Sequence, residues 1–528
     1  ATGGGGAGAP CLLRSGTQES ERSPGSPVSP TSPWSHSRSG QRLREKILLL
    51  RDQDQNRRLT DIYELEPRKL GEGAFGVVCA ARCKGADSHG KRVVKTVLKD
   101  RITDVASLLN EIQLTRRMDH PHIVSLFDSF EDDRGIYLVL DACEGGELFD
   151  RIAEAGHLSE HQASYLTTQM LRALAYLHSS GICHRDLKPE NFLLVEKAPV
   201  EKAHLKLIDF GLSKEFGDGQ ELKTGVGTAF YVAPEVLSGR YTEACDMWSL
   251  GTIVFILLSG RPPFGGRDDR QILLSVRRGH YSMEGPVWSC VSEEAQAFIR
   301  GLLVMDVSQR MTAAQGLEHR WIKHDAALSR EPLPNDLMTN IQEWSRTSRF
   351  QRAAMTVVAG QLNNAQVESL RVAFTSLDAD GDGHLSLEEM HDGLLREGIS
   401  VPEGLRSIIE EMDTSEQRCG SICYTEFLTA ALDRKSFEVE ELCWHAFRDF
   451  DRDNDGAIDQ SEILEVLKNG LLGHVPVAQA AREALAAWDK DGDGKINFKE
   501  FMHMMHTCLP SGFLQTCEGG SIESAGEA

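Results

Sequence analysis

Between residues 378 and 500 a twelve-residue pattern of carboxylates around a glycine recurs at nearly even intervals. A loop that wraps a calcium ion needs oxygen ligands at positions 1, 3, 5, 7, 9 and 12. It also needs a glycine at 6 for the sharp turn and an apolar residue at 8 to pair with a partner loop. DADGDGHLSLEE meets this with Asp378, Asp380, Asp382, the carbonyl of His384, Ser386 and Glu389. DRDNDGAIDQSE does so with Asp451, Asp453, Asp455, the carbonyl of Ala457, Asp459 and Glu462. DKDGDGKINFKE supplies Asp489, Asp491, Asp493, the carbonyl of Lys495, Asn497 and Glu500. Between the first two lies a degenerate copy, Ser415 to Glu426, which keeps Gly420, Ile422 and Glu426 but has Ser415, Gln417 and Cys419 where acids belong. It is expected to pair with the first loop and to hold calcium poorly, unless a loop two residues longer, starting at Asp413, binds weakly. Loop starts at 378, 415, 451 and 489 are 37, 36 and 38 residues apart, the spacing of helix–loop–helix units set in two pairs. One Asp/Gly-rich stretch would be an ordinary turn; three at a common spacing are not.

The chain carries a net charge of -22, concentrated here: residues 366–510 hold 13 Lys plus Arg against 30 Asp plus Glu. Such a field repels nucleic acid and attracts cations or basic peptides. A block of acid can also be a solubilising surface, and the ligand spacing decides between the two. The loops resemble EF-hands, and residues 365–509 as a whole resemble calmodulin, an all-α domain of four EF-hands. FTSLD, FRDFD and EFMHMMH add aromatic and Met residues of the kind that line a groove for an amphipathic helix.

The remaining 528-residue chain has room for a second large domain, and no apolar run reaches membrane-spanning length. Leu250 to Gly260 reads as a buried helix. Twelve cysteines stand singly, without C-x-x-C pairs, which points to a reducing, cytoplasmic setting. Residues 1–50, rich in Gly, Ser, Pro and Arg, are expected to be disordered. A mixed domain then spans 62–324, a junction 325–364 and a tail 510–528. The sequence starts ATGGGG rather than Met-Gly, so membrane association through an acylated native N-terminus stays open, with Cys11 as a weak acylation candidate.

Residues 62–324 open with strand-like runs (YELEPRKLG, GVVCAARC, KRVVKTVL, IVSLFDSFED, GIYLVLDA) and continue with helical patterns such as HQASYLTTQMLRALAYLHSSG. GEGAFGVV sets Gly71, Gly73 and Gly76 in a hairpin whose backbone can approach phosphates, with Leu70 and Val78 as apolar walls. Lys95 in RVVK needs a counter-ion, and Glu111 on the following helix is the evident one. HRDLKPEN, DFG and APE follow in order, giving Asp186, Lys188, Asn191, Asp209 and Glu235. With these motifs the region resembles the protein-kinase catalytic domain, an α+β two-lobed fold, and LKPEN with GTAFYVAPE is similar to its serine/threonine branch.

The resemblance implies ATP and Mg2+ as cofactors. Lys95, oriented by Glu111, would hold the α- and β-phosphates, and Asn191 and Asp209 the magnesium. Asp186 would accept the substrate hydroxyl proton, and Lys188 would neutralise the migrating phosphoryl group. The implied nucleotide site comprises Leu70, Gly71, Gly73, Gly76, Val78, Lys95, Leu140, Asp141, Cys143 and Glu147. Arg310 resembles the buried partner of Glu235, and Thr224 the activation-loop phosphosite. Glu147 and Glu190 match acidic positions that receive an arginine upstream of the target Ser/Thr. Ile256 stands where some relatives carry a further glutamate, so protein substrates with a basic residue three before the phosphoacceptor are expected.

The tandem order resembles the calcium-dependent protein kinases of plants and apicomplexan parasites, and the diverged second EF-hand leans toward the parasite group. That family implies an autoinhibitory junction released when calcium rearranges the EF-hands around it. NDLMTNIQEWSRTSRFQRAAMTVVAGQL supports this independently. It sets Leu337, Ile341, Trp344, Phe350, Met355 and Val358 against a basic side of Arg346, Arg349 and Arg352, as one helix able to enter the acidic groove or cover the substrate cleft. The alternatives are a kinase activated by separate calmodulin and a calcium-responsive scaffold without activity. The attached sensor argues against the first and the complete catalytic set against the second.

Overall fold

The computed structural model describes residues 58–507 except 74–75, 85–90, 103, 217–221, 223–227, 324–331, 415–419, 434–436, 438–439 and 469–476. The N-terminal extension, the tail, Thr224 and the centre of the degenerate loop lie outside the described residues. After a short helix α1 (Leu59–Ile62) come β1 (Tyr63–Gly73), β2 (Gly76–Cys83), β3 (Lys91–Leu98), β4 (Leu126–Glu131) and β5 (Gly135–Asp141). They form one antiparallel sheet in the order β1-β2-β3-β5-β4, matching the five strand-like runs. Helix α2 (Val105–Arg117) starts where the Asp104 carboxylate accepts the Ser107 N–H at 3.0 Å. It buries Leu108, Glu111, Ile112 and Thr115, one helical face, which carries Glu111 to the sheet.

A second lobe is built from α3 (Leu148–Ala155), α4 (Glu160–Ser179), α5 (Ala244–Ser259), α6 (Asp269–Arg278), α7 (Glu293–Leu302) and α8 (Ala313–Leu317). Short strands β6 (Gly146–Glu147), β8 (Phe192–Leu194) and β9 (Leu205–Leu207) make one small sheet, and β7 (Ile182–Cys183) with β10 (Lys214–Glu215) another. Ser159 and Gln162 close a capping box at the start of α4. Helix α5 contains the apolar run from Leu250 and is buried nearly all round, as a central core helix should be. Among the described residues no helix is long and apolar enough to cross a membrane.

The junction differs from the single helix expected. It is two helices, α9 (Leu337–Ser345) and α10 (Arg349–Ala359). The break is chemical: the Ser348 side chain accepts the Gln351 N–H, and the Gln351 side chain accepts the Ser348 N–H, starting a new helix. Four helix–loop–helix units follow: α11 (Glu368–Leu377) with α12 (Leu387–Arg396), α13 (Leu405–Met412) with α14 (Tyr424–Ala431), α15 (Glu440–Phe450) with α16 (Gln460–Lys468), and α17 (Val477–Trp488) with α18 (Phe498–Thr507). Their loops pair through β11 (His384–Ser386) with β12 (Ser421–Cys423) and β13 (Ala457–Ile458) with β14 (Ile496–Asn497). The apolar face of the junction (Leu337, Ile341, Trp344, Phe350, Met355, Val358) is buried in the same core as these units, separate from the cores of the two kinase-like lobes.

Candidate catalytic cleft and calcium loops

Strands β1 and β2 turn over at Gly73 and Gly76, which face each other in register. A Cβ at Gly76 would fall 1.7 Å from the Thr96 carbonyl, so the hairpin lies on β3 at a spacing only glycine permits. On β3, Lys95 Nζ donates to Glu111 Oε1 at 2.6 Å. Burial alone would lower the Lys95 pKa, but Glu111 and Asp209 outweigh it and hold the ammonium above its usual value.

Below the sheet, Asp186 is bracketed: Lys188 Nζ donates to one carboxylate oxygen at 2.6 Å and Thr228 Oγ1 to the other at 3.0 Å. Asn191 Nδ2 donates to the Asp186 carbonyl at 2.7 Å, which leaves the amide oxygen of Asn191 as the end presented to a cation. Asp209 adopts φ 65 and accepts the Gly211 N–H, while Phe210 is buried against His184. The backbone of the loop hangs from Asp246, which accepts the N–H groups of His184 and Arg185 at 2.9 and 2.8 Å. Burial pushes the Asp246 pKa up, but His178 and those donors bring it net below the usual range. Arg310, with no exposed side-chain surface, pairs with Glu235 through both guanidinium nitrogens.

Two residues missed by the sequence reading, Asp246 and Thr228, thus fix the loop and its aspartate. Asp246 had a legible signal: an acid placed inside an otherwise apolar helix. One expected contact is refined. The Asp141 carboxylate turns away from the cleft, taking Lys206 Nζ at 2.7 Å and the Ser125 N–H at 2.8 Å, so only the main chain of Asp141 remains for a nucleotide. Burial raises the neighbouring Cys143 thiol to about 12, which keeps it protonated. Beside the cleft, burial, Asp150 and Glu190 together lift the Glu147 pKa.

The three complete loops share one internal pattern. The position-12 glutamate accepts the N–H of the second loop residue: Ala379 to Glu389, Arg452 to Glu462, Lys490 to Glu500. Oxygens of Asp378, Asp380 and Glu389 lie within 4.8 Å of one another, as do those of Asp451, Asp453 and Glu462 and those of Asp489, Asp491 and Glu500. These all-oxygen sets suit a hard divalent cation. Asp378 fits it best: one of its oxygens is buried without a hydrogen bond, and burial raises its pKa to about 7 despite Arg172 nearby.

The degenerate loop starts at Asp413, not Ser415. Asp413 accepts the Gly420 N–H at 2.9 Å, and Glu426 accepts those of Thr414 and Cys423, both at 2.7 Å, reproducing the pattern with two extra residues. The Thr414 hydroxyl also donates to Glu426 at 2.5 Å.

Residues 64–322 match the protein kinase domain family, and residues 367–432 and 440–506 each match the EF-hand domain pair. The chain is 38% identical to calcium-dependent protein kinase 3 of Plasmodium berghei, covering 85% of this chain and 80% of that protein. It is 35% identical to calcium-dependent protein kinase 5 of Plasmodium falciparum, over 87% and 80% of the two chains. Against calcium-dependent protein kinase 17 of Arabidopsis thaliana the identity is 36%, over 84% and 83%.

Proposed function

The chain belongs to the calcium-dependent protein kinase family, and from that premise we propose a serine/threonine kinase switched by calcium in its own EF-hands. The observation that carries the enzymatic part is the bracketing of Asp186 between Lys188 and Thr228, which fixes the orientation of its carboxylate. In this reading Asp186 orients the Ser/Thr hydroxyl and takes its proton, and Lys188 screens the charge on the transferring group. Lys95, held by Glu111, grips the α- and β-phosphates under the glycine hairpin. Leu70, Val78 and Leu140 wall the adenine, with the main chain of Asp141 and Cys143 at its edge. Asn191 and Asp209 would hold magnesium, which would supply positive charge to the phosphates.

Calcium is assigned to the loops at Asp378, Asp451 and Asp489. The loop at Asp413 is assigned a structural part, because between Asp413 and Gly420 it carries one further carboxylate, Glu416, where each complete loop carries two further aspartates. Glu147 and Glu190 take a basic residue three before the phosphoacceptor, and Ile256 makes no demand for a second. The junction acts as the autoinhibitory element. Its apolar face, seated in the EF-hand core, is thereby kept from the substrate cleft and from any separate calmodulin.

The test is phosphate transfer from MgATP to a peptide with Arg three before Ser, in calcium and then in chelator, without added calmodulin. Strong transfer in calcium alone supports the reading. Equal transfer in both removes the switch and leaves the kinase, and no transfer in either removes both.

A further inference from the structure

The first calcium loop is also a contact face. A Cβ at Gly381 would stand 2.4 Å from Leu317, and one at Gly383 would stand 2.4 Å from the Tyr176 ring and 3.1 Å from His120. Bare loop backbone therefore lies directly on the kinase domain. Arg172 of α4 donates to the Asp378 carbonyl at 2.8 Å and stands 3.5 Å from the carboxylate oxygen that has no hydrogen bond. Gly456, Gly492 and Gly494 of the other two complete loops would meet nothing within 4 Å. Next to the first loop, Asp119 of the kinase domain accepts the N–H and hydroxyl of Thr425 at 3.1 and 2.7 Å, at the start of α14.

We infer, building on the calcium-switched function proposed above, that calcium in the Asp378 loop and docking of the EF-hand region on the kinase domain are one linked equilibrium. The loops at Asp451 and Asp489 fill irrespective of docking.

Charge gives the sign. The loop brings Asp378, Asp380, Asp382 and Glu389 together, and docking sets them beside Tyr176 and Leu317 with a single added cation, Arg172. Without calcium three negative charges stay uncompensated around a buried Asp378, with Asp382 and Glu389 half-buried and Asp380 exposed; with calcium one does. The four carboxylates would be direct ligands of the ion, whereas Arg172 approaches only one oxygen of Asp378, at 3.5 Å, so a drier loop would strengthen attraction more than repulsion. Docking therefore tightens this site, and by reciprocity calcium here tightens docking by the same factor. Among the described residues the other two loops have open glycine faces, and the second pair meets the kinase domain at His445 of α15, 3.1 Å from Cys83 and six residues before the first loop ligand.

The test is calcium binding to the full chain by equilibrium dialysis in chelator-buffered calcium. Asp119→Ala alters no loop ligand; it should weaken one calcium site by about tenfold and leave the other two unchanged. Thr425→Val breaks the same contact from the EF-hand side and should reproduce the shift. It stands in if circular dichroism shows that the first variant does not fold. In an Asp378→Ala background neither change should alter calcium binding further. Unchanged sites in both variants, a parallel shift of all sites, or a shift that persists without Asp378 would overturn the inference. Because the readout is bound calcium, it separates from the functional reading. Transfer indifferent to calcium defeats that reading, whereas calcium-dependent transfer with no site-specific shift defeats only this inference.

Discussion

The two EF-hand pairs meet the rest of the molecule in different ways. The first pair couples a complete loop at Asp378 to a degenerate one at Asp413, and both touch the kinase domain, through Arg172 and Asp119. The second pair joins two complete loops through Ile458 and Ile496, with a Lys495–Asp455 ion pair across them, and their glycine faces are open. The first pair has given up ligands at one loop and set the other loop on the kinase domain; the second has kept its ligands at both loops and meets the kinase domain only beside them, where His445 of α15 stands 3.1 Å from Cys83. The difference shows that four repeats of one motif can place one calcium loop against a neighbouring domain and leave two others open without any change of fold.

That division can be broken at several points, beginning with the largest expected effect. Asp186→Asn should cut phosphate transfer by about 10³-fold while leaving calcium binding untouched, which steady-state kinetics and dialysis together would check. A calcium effect there would mean that catalysis and sensing are not separable. Trp344→Ala, inside the core shared by the junction and EF-hands, should cost about 3–5 kcal/mol of EF-hand stability in chemical denaturation. Trp444→Ala on the second pair, 42% exposed, should cost about 0.5 kcal/mol.

Gly383→Ala and Gly494→Ala both place a side chain at positive φ, at about 1–2 kcal/mol each. Only the first also meets Tyr176, so it should shift the calcium midpoint of transfer further.

The smallest effects concern pH, and they run in opposite directions on the two sides. Burial, then neighbouring cations and histidines, keeps His120, His122 and His204 well below their usual values. The unfolded chain takes up those protons below about pH 6.5, so the kinase-side contribution is full above that and declines as pH falls. Burial raises Glu426 to about 7, so its contribution is greatest below the unfolded carboxylate value near 4 and is lost as pH climbs through 7. Denaturation midpoints of His204→Gln and Glu426→Gln between pH 5 and 8 should flatten the two slopes separately.

Most of the fold was legible because periodicity and punctuation are local. The five strands, the capped α4 and the buried α5 follow from alternation, a Ser/Gln box and an unbroken apolar run. The candidate residues of the cleft and of the loops could be picked out because phosphate and calcium demand fixed residue types at fixed spacing. What stayed hidden was set by contacts distant in sequence. Asp246 reaches back to His184 and Arg185, Lys206 captures the Asp141 carboxylate, and Asp119 meets Thr425 across some three hundred residues. The break at Ser348 was present in the sequence as Ser-x-x-Gln, but the apolar spacing running through it favoured one helix. The loop start at Asp413 stood in the sequence beside the start at Ser415, and the hydrogen bonds of Asp413 and Glu426 decide for Asp413.

The central claim is that calcium acts by holding the EF-hand region against the kinase domain. Hydrogen–deuterium exchange of the full chain in calcium and in chelator tests it most directly, read at α4 and α14, which carry the docking contacts, and at α18 of the second pair. The account predicts that calcium slows exchange at α4 and α14 together, and that Asp378→Ala abolishes the effect there but not at α18. Protection confined to the EF-hand loops, with α4 and α14 unchanged, would contradict it.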